Sequence, residues 1–200
     1  NQFPVDKAIS FKYMKKAASH GNKFAIYGLS YLMNPNFENL DDVEGAQSFV
    51  KMLKIATYFD SEEASYMLGF LYNIGSYVEK NYLISLIYLK FSADKQYPPA
   101  MLMLANSLRR IANGIITSNE IEQMKIKTMA FLNDQTDINE INNKLRMTAI
   151  SVFNDIENPQ IADTTSRVYY QNVIDNEESS EQQRNTAQNR LATLEDDENN

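Results

Sequence analysis

Small residues recur along the first half of the chain at one spacing, and the apolar residues around them follow helical periods. Ala18, Ala56 and Ala93 are separated by 38 and then 37 residues. Further columns share that period to within a residue: Ser10, Ser48 and Ser85; Asp6, Glu44 and Asn81; and Ala25, Ala64 and Ala100. Because four columns agree on one period, residues 4–112 are predicted to contain repeated structural units.

Cap and stop signals divide each repeated unit into two helices. Residues 60–63 are predicted to form a capping box, and Gly75 is predicted to end the following helix in a left-handed conformation. Pro98 and Pro99 suit the first turn of a helix, where proline loses no hydrogen bond. The alanine columns are predicted to be buried where helices cross, since small side chains let helices approach closely. Together with the apolar spacing, these signals predict helices near 6–19, 23–33, 44–58, 62–74, 81–95 and 98–112.

The best-preserved unit spans residues 64–93. It carries Ala64, Leu68-Gly69, Tyr72, Gly75, Val78, Asn81, Ser85, Tyr88 and Ser92-Ala93. This pattern resembles a Sel1-like repeat, a relative of the tetratricopeptide repeat, over about residues 4–112, with serine at the mid-helix position where the family usually has alanine. The resemblance implies an all-α fold, a right-handed α-solenoid of helix-pair (Sel1-like) repeats, which we expect to end in a helical C-terminal cap.

Beyond the repeats the period is lost, but helical signals continue. Capping boxes are predicted at 117–120 and 137–140, and Asn158-Pro159 marks a break. Residues 115–176 are therefore expected to form a helical C-terminal cap or degenerate further repeats, and a separate partner-binding helical module is a third alternative. Residues 177–200 are expected to form an acidic tail helix, whose thin apolar stripe consists of Ala187, Leu191 and Leu194.

The net charge of −7 is unevenly distributed. Residues 1–27 hold five lysines against one acid, a local charge of +4, whereas residues 175–200 hold eight acids against two arginines, a local charge of −6. A nucleic-acid binder would carry its basic residues on one dominant face, so this distribution argues against nucleic acid as a partner. No apolar run reaches the roughly 18 residues of a membrane-spanning helix, so no membrane insertion is expected.

The sequence offers little material for catalysis or for a cofactor. It has no cysteine, which excludes disulfides, thiolate metal sites and cysteine nucleophiles. Its one histidine, His20, is implied by the resemblance to lie in a variable loop, and no acid–base partner is near it in sequence. We therefore expect no catalytic residue, no metal, no cofactor and no enzymatic activity. Because the chain opens on Asn1, it is expected to be processed or part of a longer protein, and cytoplasmic, periplasmic and lumenal locations are all compatible.

The leading functional hypothesis is a protein–protein interaction scaffold or adaptor, as the Sel1-like resemblance implies, with a peptide or protein bound on a concave helical surface. The positions that the repeat pattern leaves free are the expected partner contacts: Lys12, Lys15, Val50, Lys54, Ile87 and Lys90. Because lysines dominate, an acidic segment or a C-terminal carboxylate is the expected ligand, and a merely solvated lysine face is the equal alternative.

The second hypothesis is structural: the chain is a segment of a longer array or a self-associating subunit without its own ligand site. An exposed apolar surface at residues 3–13 would favour it, because the true end of a helical-repeat array should be polar. In a third hypothesis, the acidic tail mimics a nucleic acid or occupies the protein's own basic groove.

Overall fold

The computed structural model describes residues 7–18, 20, 22–32, 43–134 and 139–198. These residues form α-helices and no β-strand: α1 (Lys7–Ala18), α2 (Lys23–Leu32), α3 (Val43–Tyr58), α4 (Glu62–Ile74), α5 (Tyr82–Ala93), α6 (Pro98–Ala112), α7 (Ser118–Asp134), α8 (Asn139–Asp155), α9 (Pro159–Asp175) and α10 (Glu181–Glu198). The prediction of an all-α fold is confirmed. The six helices predicted from the repeats are all present, and their ends agree with the predicted bounds to within two residues.

Local contacts explain where the central helices begin and end. Ser61 caps α4, since its Oγ accepts a hydrogen bond from the Ala64 amide at 3.1 Å, so the predicted cap begins one residue later than expected. Gly75 ends α4 with a φ of 77°, and its amide donates to the Leu71 carbonyl at 2.8 Å. Asn81 caps α5 by accepting an amide hydrogen bond from the first turn at 3.0 Å.

Serine hydroxyls fasten α4 and α5 together as an antiparallel pair. The Ser92 hydroxyl donates to the Glu62 carbonyl at 2.7 Å, and the Ser85 hydroxyl donates to the Gly69 carbonyl at 2.7 Å. The helices also approach closely, because a Cβ built on Gly69 would lie only 2.8 Å from Leu89 Cγ. The mid-helix serine of this repeat therefore provides a cross-helix hydrogen bond that alanine could not make.

The repeat helices pack in chain order, each against the next from α1 to α6. The column alanines lie in the interior, as the spacing predicts, except that Ala18 is only half-buried: Ala18, Ala25, Ala56, Ala64, Ala93 and Ala100. Neighbouring helix pairs share one continuous apolar core, in which Leu53, Leu68 and Leu86 are fully buried. Contacts between helices that are neighbours in the chain therefore hold α1 to α6 together.

The C-terminal helices do not continue this order. Helix α6 packs extensively against α9, and α10 packs against both α9 and α6. Helices α7 and α8 lie across α5 instead, and α8 also reaches α3. The α7–α8 pair, which starts at Ser118 and ends at Asp155, is thus an insertion between two helices that pack together, and it covers α3 and α5. Asp137, with which the capping box predicted at 137–140 begins, lies outside the described residues.

Helix α9 packs against α6 as α5 packs against α4. Arg109 forms an ion pair with Asp163, and the Tyr170 hydroxyl donates to Asn106 Oδ1 at 2.9 Å, so the two helices are antiparallel. A final hydrogen bond at the same interface joins the Asn176 amide group to the carbonyl oxygen of residue 96 at 2.9 Å.

The start of α9 also repeats the local signals of α5. Asn158 caps α9 by accepting from the Ile161 amide at 2.9 Å, and a small buried residue, Ala162, follows four positions later. In α5 the same places are taken by Asn81 and the buried Ser85. In α10, Ala187 and Leu194 face the core, and the exposed described residues are mostly polar. Whether residues 115–176 are a cap, degenerate repeats or a separate module stays a prediction.

Candidate partner-binding surfaces

The surface predicted to bind a partner on α3 and α5 is covered by the chain itself. Val50 and Ile87 are buried, because α8 packs against both helices and α7 against α5. The expectation that these two side chains face a partner is therefore corrected. They belong to the core that fixes the α7–α8 pair on the repeats.

Lys54 is half-buried beneath the α7–α8 pair. Its Nζ lies 5.8 Å from the ring centroid of Phe131 on α7, a distance at which an ammonium group is attracted to an aromatic face. Lys54 thus contacts the chain's own insertion rather than open solvent.

Lys90 joins three helices. From α5, its Nζ donates to the Tyr169 hydroxyl on α9 at 2.9 Å, lies 3.2 Å from Asp94 Oδ1 and lies 3.7 Å from Asp155 Oδ2 on α8. The Tyr169 hydroxyl in turn donates to Asp94 Oδ1 at 3.3 Å. The Lys90 ammonium group therefore fixes the positions of α8 and α9 relative to α5, which corrects its assignment as a free partner contact.

The surroundings of Lys90 keep it charged. Burial alone lowers the pKa of Lys90, but the Tyr169 hydroxyl, Asp94 and Asp155 together raise that pKa above its ordinary value. Burial raises the pKa of Asp155, and the nearby Lys90 only partly opposes this effect. A lysine whose pKa is raised cannot act as a neutral base near pH 7, so the geometry suits an internal ion pair.

Lys12 and Lys15 are exposed on α1, together with Lys16. The predicted lysines therefore do not share one face, since Lys54 and Lys90 lie under α7, α8 and α9. Whether Lys12 and Lys15 bind a partner stays a prediction.

Helix α1 also exposes large apolar side chains. Ile9 is 54% exposed and Tyr13 is 66% exposed. The repeat aligns these residues with Ile84 and Tyr88 of α5, which are only 2% and 3% exposed. The same columns are thus interior in α5 and open to solvent in α1. The hypothesis that the chain is a segment of a longer array or a self-associating subunit requires an exposed apolar surface at residues 3–13. Ile9 and Tyr13, which lie in the described part of that range, are exposed.

Tyr72 explains much of the difference in exposure between Tyr88 and Tyr13. Tyr72 of α4 stacks on Tyr88, with ring centroids 5.7 Å apart and an interplanar angle of 9°. Phe131 of α7 packs edge-on against the same Tyr72, with ring centroids 6.2 Å apart. Tyr88 is therefore buried beside an aromatic cluster from α4 and α7, whereas Tyr13 on α1 has most of its surface in water.

Surface clefts border the α7–α8 pair. One, of about 590 Å³, lies between α7 and the loop that joins α4 to α5, and its lining includes Tyr72 and Phe131. Another, of about 550 Å³, lies beside α8, where Lys95 and Lys144 pair with Asp60 at 3.2 and 3.4 Å. Burial raises the pKa of Tyr72 to about 12, which makes it a poor acid–base group at neutral pH.

Among the described ranges, no group of three or more His, Cys, Asp or Glu side chains is arranged to hold a metal ion. Nor does that part of the chain contain a helix long and apolar enough to cross a membrane. His20 is exposed, and its Nδ1 lies 2.8 Å from the Lys16 carbonyl oxygen.

Comparison with family models, with curated proteins and with solved structures gave no match for this chain. Function must therefore be argued from the surfaces themselves. Sequence reasoning missed the internal partners of the lysines, Phe131, Asp155 and Tyr169. One available signal was that the extension beyond the repeats combines apolar stripes with acids and aromatic residues, which suit contacts with a basic face.

Proposed function

We propose that this chain is a non-enzymatic protein-interaction scaffold built from Sel1-like helix-pair repeats. The observation that carries the proposal is the surface of α1, where Ile9 and Tyr13 are exposed among Lys12, Lys15 and Lys16. Exposed apolar side chains ringed by one sign of charge are typical of protein-binding surfaces. The binding surface is thus α1. The corresponding surface of α3 and α5 is covered by α7 and α8 of the same chain.

The repeat assignment is supported by two independent kinds of observation. The four sequence columns share one period, and α6 packs antiparallel against α9 as α4 packs against α5. We propose on this basis that α1 to α6, α9 and α10 form a right-handed solenoid and that the α7–α8 pair is inserted into it. A solenoid of this kind presents extended surfaces to partners, because each unit contacts only its neighbours.

The second candidate function is structural, as a self-associating subunit or a segment of a longer array. The exposure of Ile9 and Tyr13 favours it too, because either arrangement would bury them. The two functions differ in what occupies α1: a different protein for the scaffold, and another repeat unit for the structural role.

The scaffold proposal is tested by affinity capture from the native lysate with the full chain and two double variants. Lys12→Glu/Lys15→Glu reverses charge on α1, and Lys51→Glu/Lys127→Glu is a matched control at exposed lysines of α3 and α7. We expect the α1 variant to lose most of the captured protein and the control to retain it, with capture by the wild type weakening as salt rises. Equal capture by both variants would refute α1 as the binding surface.

Sedimentation of the purified chain separates the two candidates. A monomer at micromolar concentration supports the scaffold, whereas concentration-dependent association that Tyr13→Asp abolishes supports the structural role.

A further inference from the structure

Helix α5 aligns with α1 in the repeat, and the helix that packs on α5 indicates what kind of helix could pack on α1. On α5, Tyr88 is covered by Tyr72 of α4, and Gly69 of α4 lets the two backbones approach closely. The cover is thus an amphipathic helix with a small residue followed three positions later by an aromatic one. Since α1 exposes Tyr13 at the position of Tyr88, a helix with the same two features fits against it.

Charge restricts the occupant further. Helix α1 contains four lysines and no acid, and Lys12, Lys15 and Lys16 are exposed. A helix lying on α1 would meet these ammonium groups, so its flanks must be acidic. Helix α4 has such an acidic end, because it carries Glu62 and Glu63 in its first turn, and Glu62 pairs with Lys23 of α2 at 2.6 Å.

The same charge disfavours a second copy of the chain. Two α1 helices packed against each other would bring like charges together, which opposes a symmetric contact. A head-to-tail contact would place the apolar side chains of α1 on α10, whose exposed described residues are mostly polar: Glu181, Gln182, Asn185, Gln188 and Asn189. Neither arrangement matches both the charge and the apolar character of α1.

We propose that α1 is a docking site for an amphipathic helix of another protein, with acidic flanks and a small residue three positions before an aromatic one. The helix lies on Ile9 and Tyr13 in the place that α4 takes on α5. This inference rests on the proposed scaffold function and specifies its partner. Recognition is of the helix-in-groove kind, in which anchors one helical turn apart provide the contact and rim charges guide association.

The chain supplies its own probe, because residues 61–75 contain the acidic turn, Gly69 and Tyr72 in one segment. A fluorescently labelled peptide of this sequence is titrated with the full chain, and binding is followed by anisotropy. We expect saturable binding that weakens about tenfold or more from low to high salt. Peptides with Tyr72→Ala or with Glu62→Lys/Glu63→Lys should bind at least about tenfold more weakly, since each loses one of the two required features.

Variants of the full chain locate the site. Ile9→Asp/Tyr13→Asp should abolish peptide binding, whereas Ile126→Asp, at an equally exposed apolar position on α7, should not. Equal loss in both variants, or no loss in the first, overturns the proposal. Circular dichroism of each variant confirms that the helices remain folded.

A short peptide is only marginally helical in water, so a tethered copy removes helix formation as a reason for failure. Residues 61–80 are copied directly before Asp6, in place of residues 1–5, since the repeat aligns Asp6 with Asn81. Amide exchange in α1 should slow by about tenfold or more relative to the parent chain. If α1 exchange is unchanged in the tethered chain and the free peptide does not bind, the docking site does not exist.

The outcomes distinguish this inference from the proposed function. If capture from the lysate depends on Lys12 and Lys15 but the peptide does not bind, the proposed scaffold function is supported and the proposal of a helical partner is refuted. Peptide binding without lysate capture supports the docking site and refutes the scaffold role. Association of the purified chain that Tyr13→Asp abolishes identifies a second copy as the occupant, against the proposal.

Discussion

The close crossing of α4 and α5 predicts that Gly69→Ala destabilises the protein, although alanine is the better helix former. A Cβ at Gly69 would lie 2.8 Å from Leu89 Cγ, 2.9 Å from Leu89 Cδ2 and 3.2 Å from the Leu89 backbone nitrogen. Rotating the Leu89 side chain cannot relieve the backbone contact, so the helices must separate. That movement also stretches the 2.7 Å hydrogen bond from Ser85 to the Gly69 carbonyl.

Two opposing effects set the size of the change. Replacing glycine by alanine inside a helix gains about 0.5–1 kcal/mol, whereas overpacking a filled interface costs about 1–3 kcal/mol. The net loss for Gly69→Ala is therefore about 1 kcal/mol. At Gly28, a new Cβ would meet only the flexible end of Met14, with Sδ at 3.0 Å, so Gly28→Ala should be neutral or gain up to about 1 kcal/mol.

Urea unfolding followed by circular dichroism measures both free energies of unfolding, provided the m-values agree. A double-mutant cycle with Leu89→Ala adds a specific test, because the shorter side chain partly relieves the clash and the combined loss should be smaller than the sum of the single losses. A clash with Leu89 is not the cause if Gly69→Ala is as stable as Gly28→Ala. It is also not the cause if Gly69→Ala loses the same free energy of unfolding in the presence and absence of Leu89→Ala.

The remaining predictions concern burial, pH and the internal ion pair. Ala93→Leu should cost about 1–3 kcal/mol in urea unfolding, since the alanine is fully buried at a helix crossing, and a loss below a few tenths would show that the repeat frame is wrong. Burial raises the pKa of Glu62, but Lys23 lowers it further, to below its ordinary value of 4.5. The ionised Glu62 therefore stabilises the folded protein above pH 4.5, and this stabilisation is lost as the pH falls through the lowered pKa. In Glu62→Gln the free energy of unfolding should depend less on pH in that acidic range, by less than about 1 kcal/mol, as urea unfolding at several pH values would measure. Tyr169→Phe removes the oxygen that accepts from Lys90 and should cost about 1–2 kcal/mol by urea unfolding, whereas an unchanged stability would show that this contact does not hold α9.

The helices of the repeats could be predicted because their signals are local. Ser61, Gly75 and Asn81 act within one turn of their own position, and the alanine columns mark crossings between helices that are adjacent in the chain. The α7–α8 pair carried equally clear helical signals, but nothing in its sequence specifies that it packs on α5. Contacts between segments far apart in sequence leave no period to detect.

The residues predicted to bind a partner also show that contacts between distant segments could not be predicted from the repeat columns. Lys15 and Lys90 occupy one column of the repeat, yet Lys15 is exposed and Lys90 joins α5 to α8 and α9. The column of Lys12 continues with Val50 and Ile87, and these apolar members were the available sign that the later repeats are covered there. The column of Lys12 thus indicates the covered units by its change from lysine to valine and isoleucine, whereas the column of Lys15 gives no such sign.

The same reasoning indicates why the binding surface belongs on α1. Where the columns contain Ile84, Ile87 and Tyr88, the chain provides helices that enclose them. In α1 two of these columns contain the apolar residues Ile9 and Tyr13, whereas α3 has Gln47 and Lys51 there, and lysine replaces the apolar residue at position 12. What distinguishes α1 from other helices with exposed apolar side chains is that Ile9 and Tyr13 lie among three exposed lysines, Lys12, Lys15 and Lys16. This combination supports the proposal that α1 binds a separate partner with negative charge.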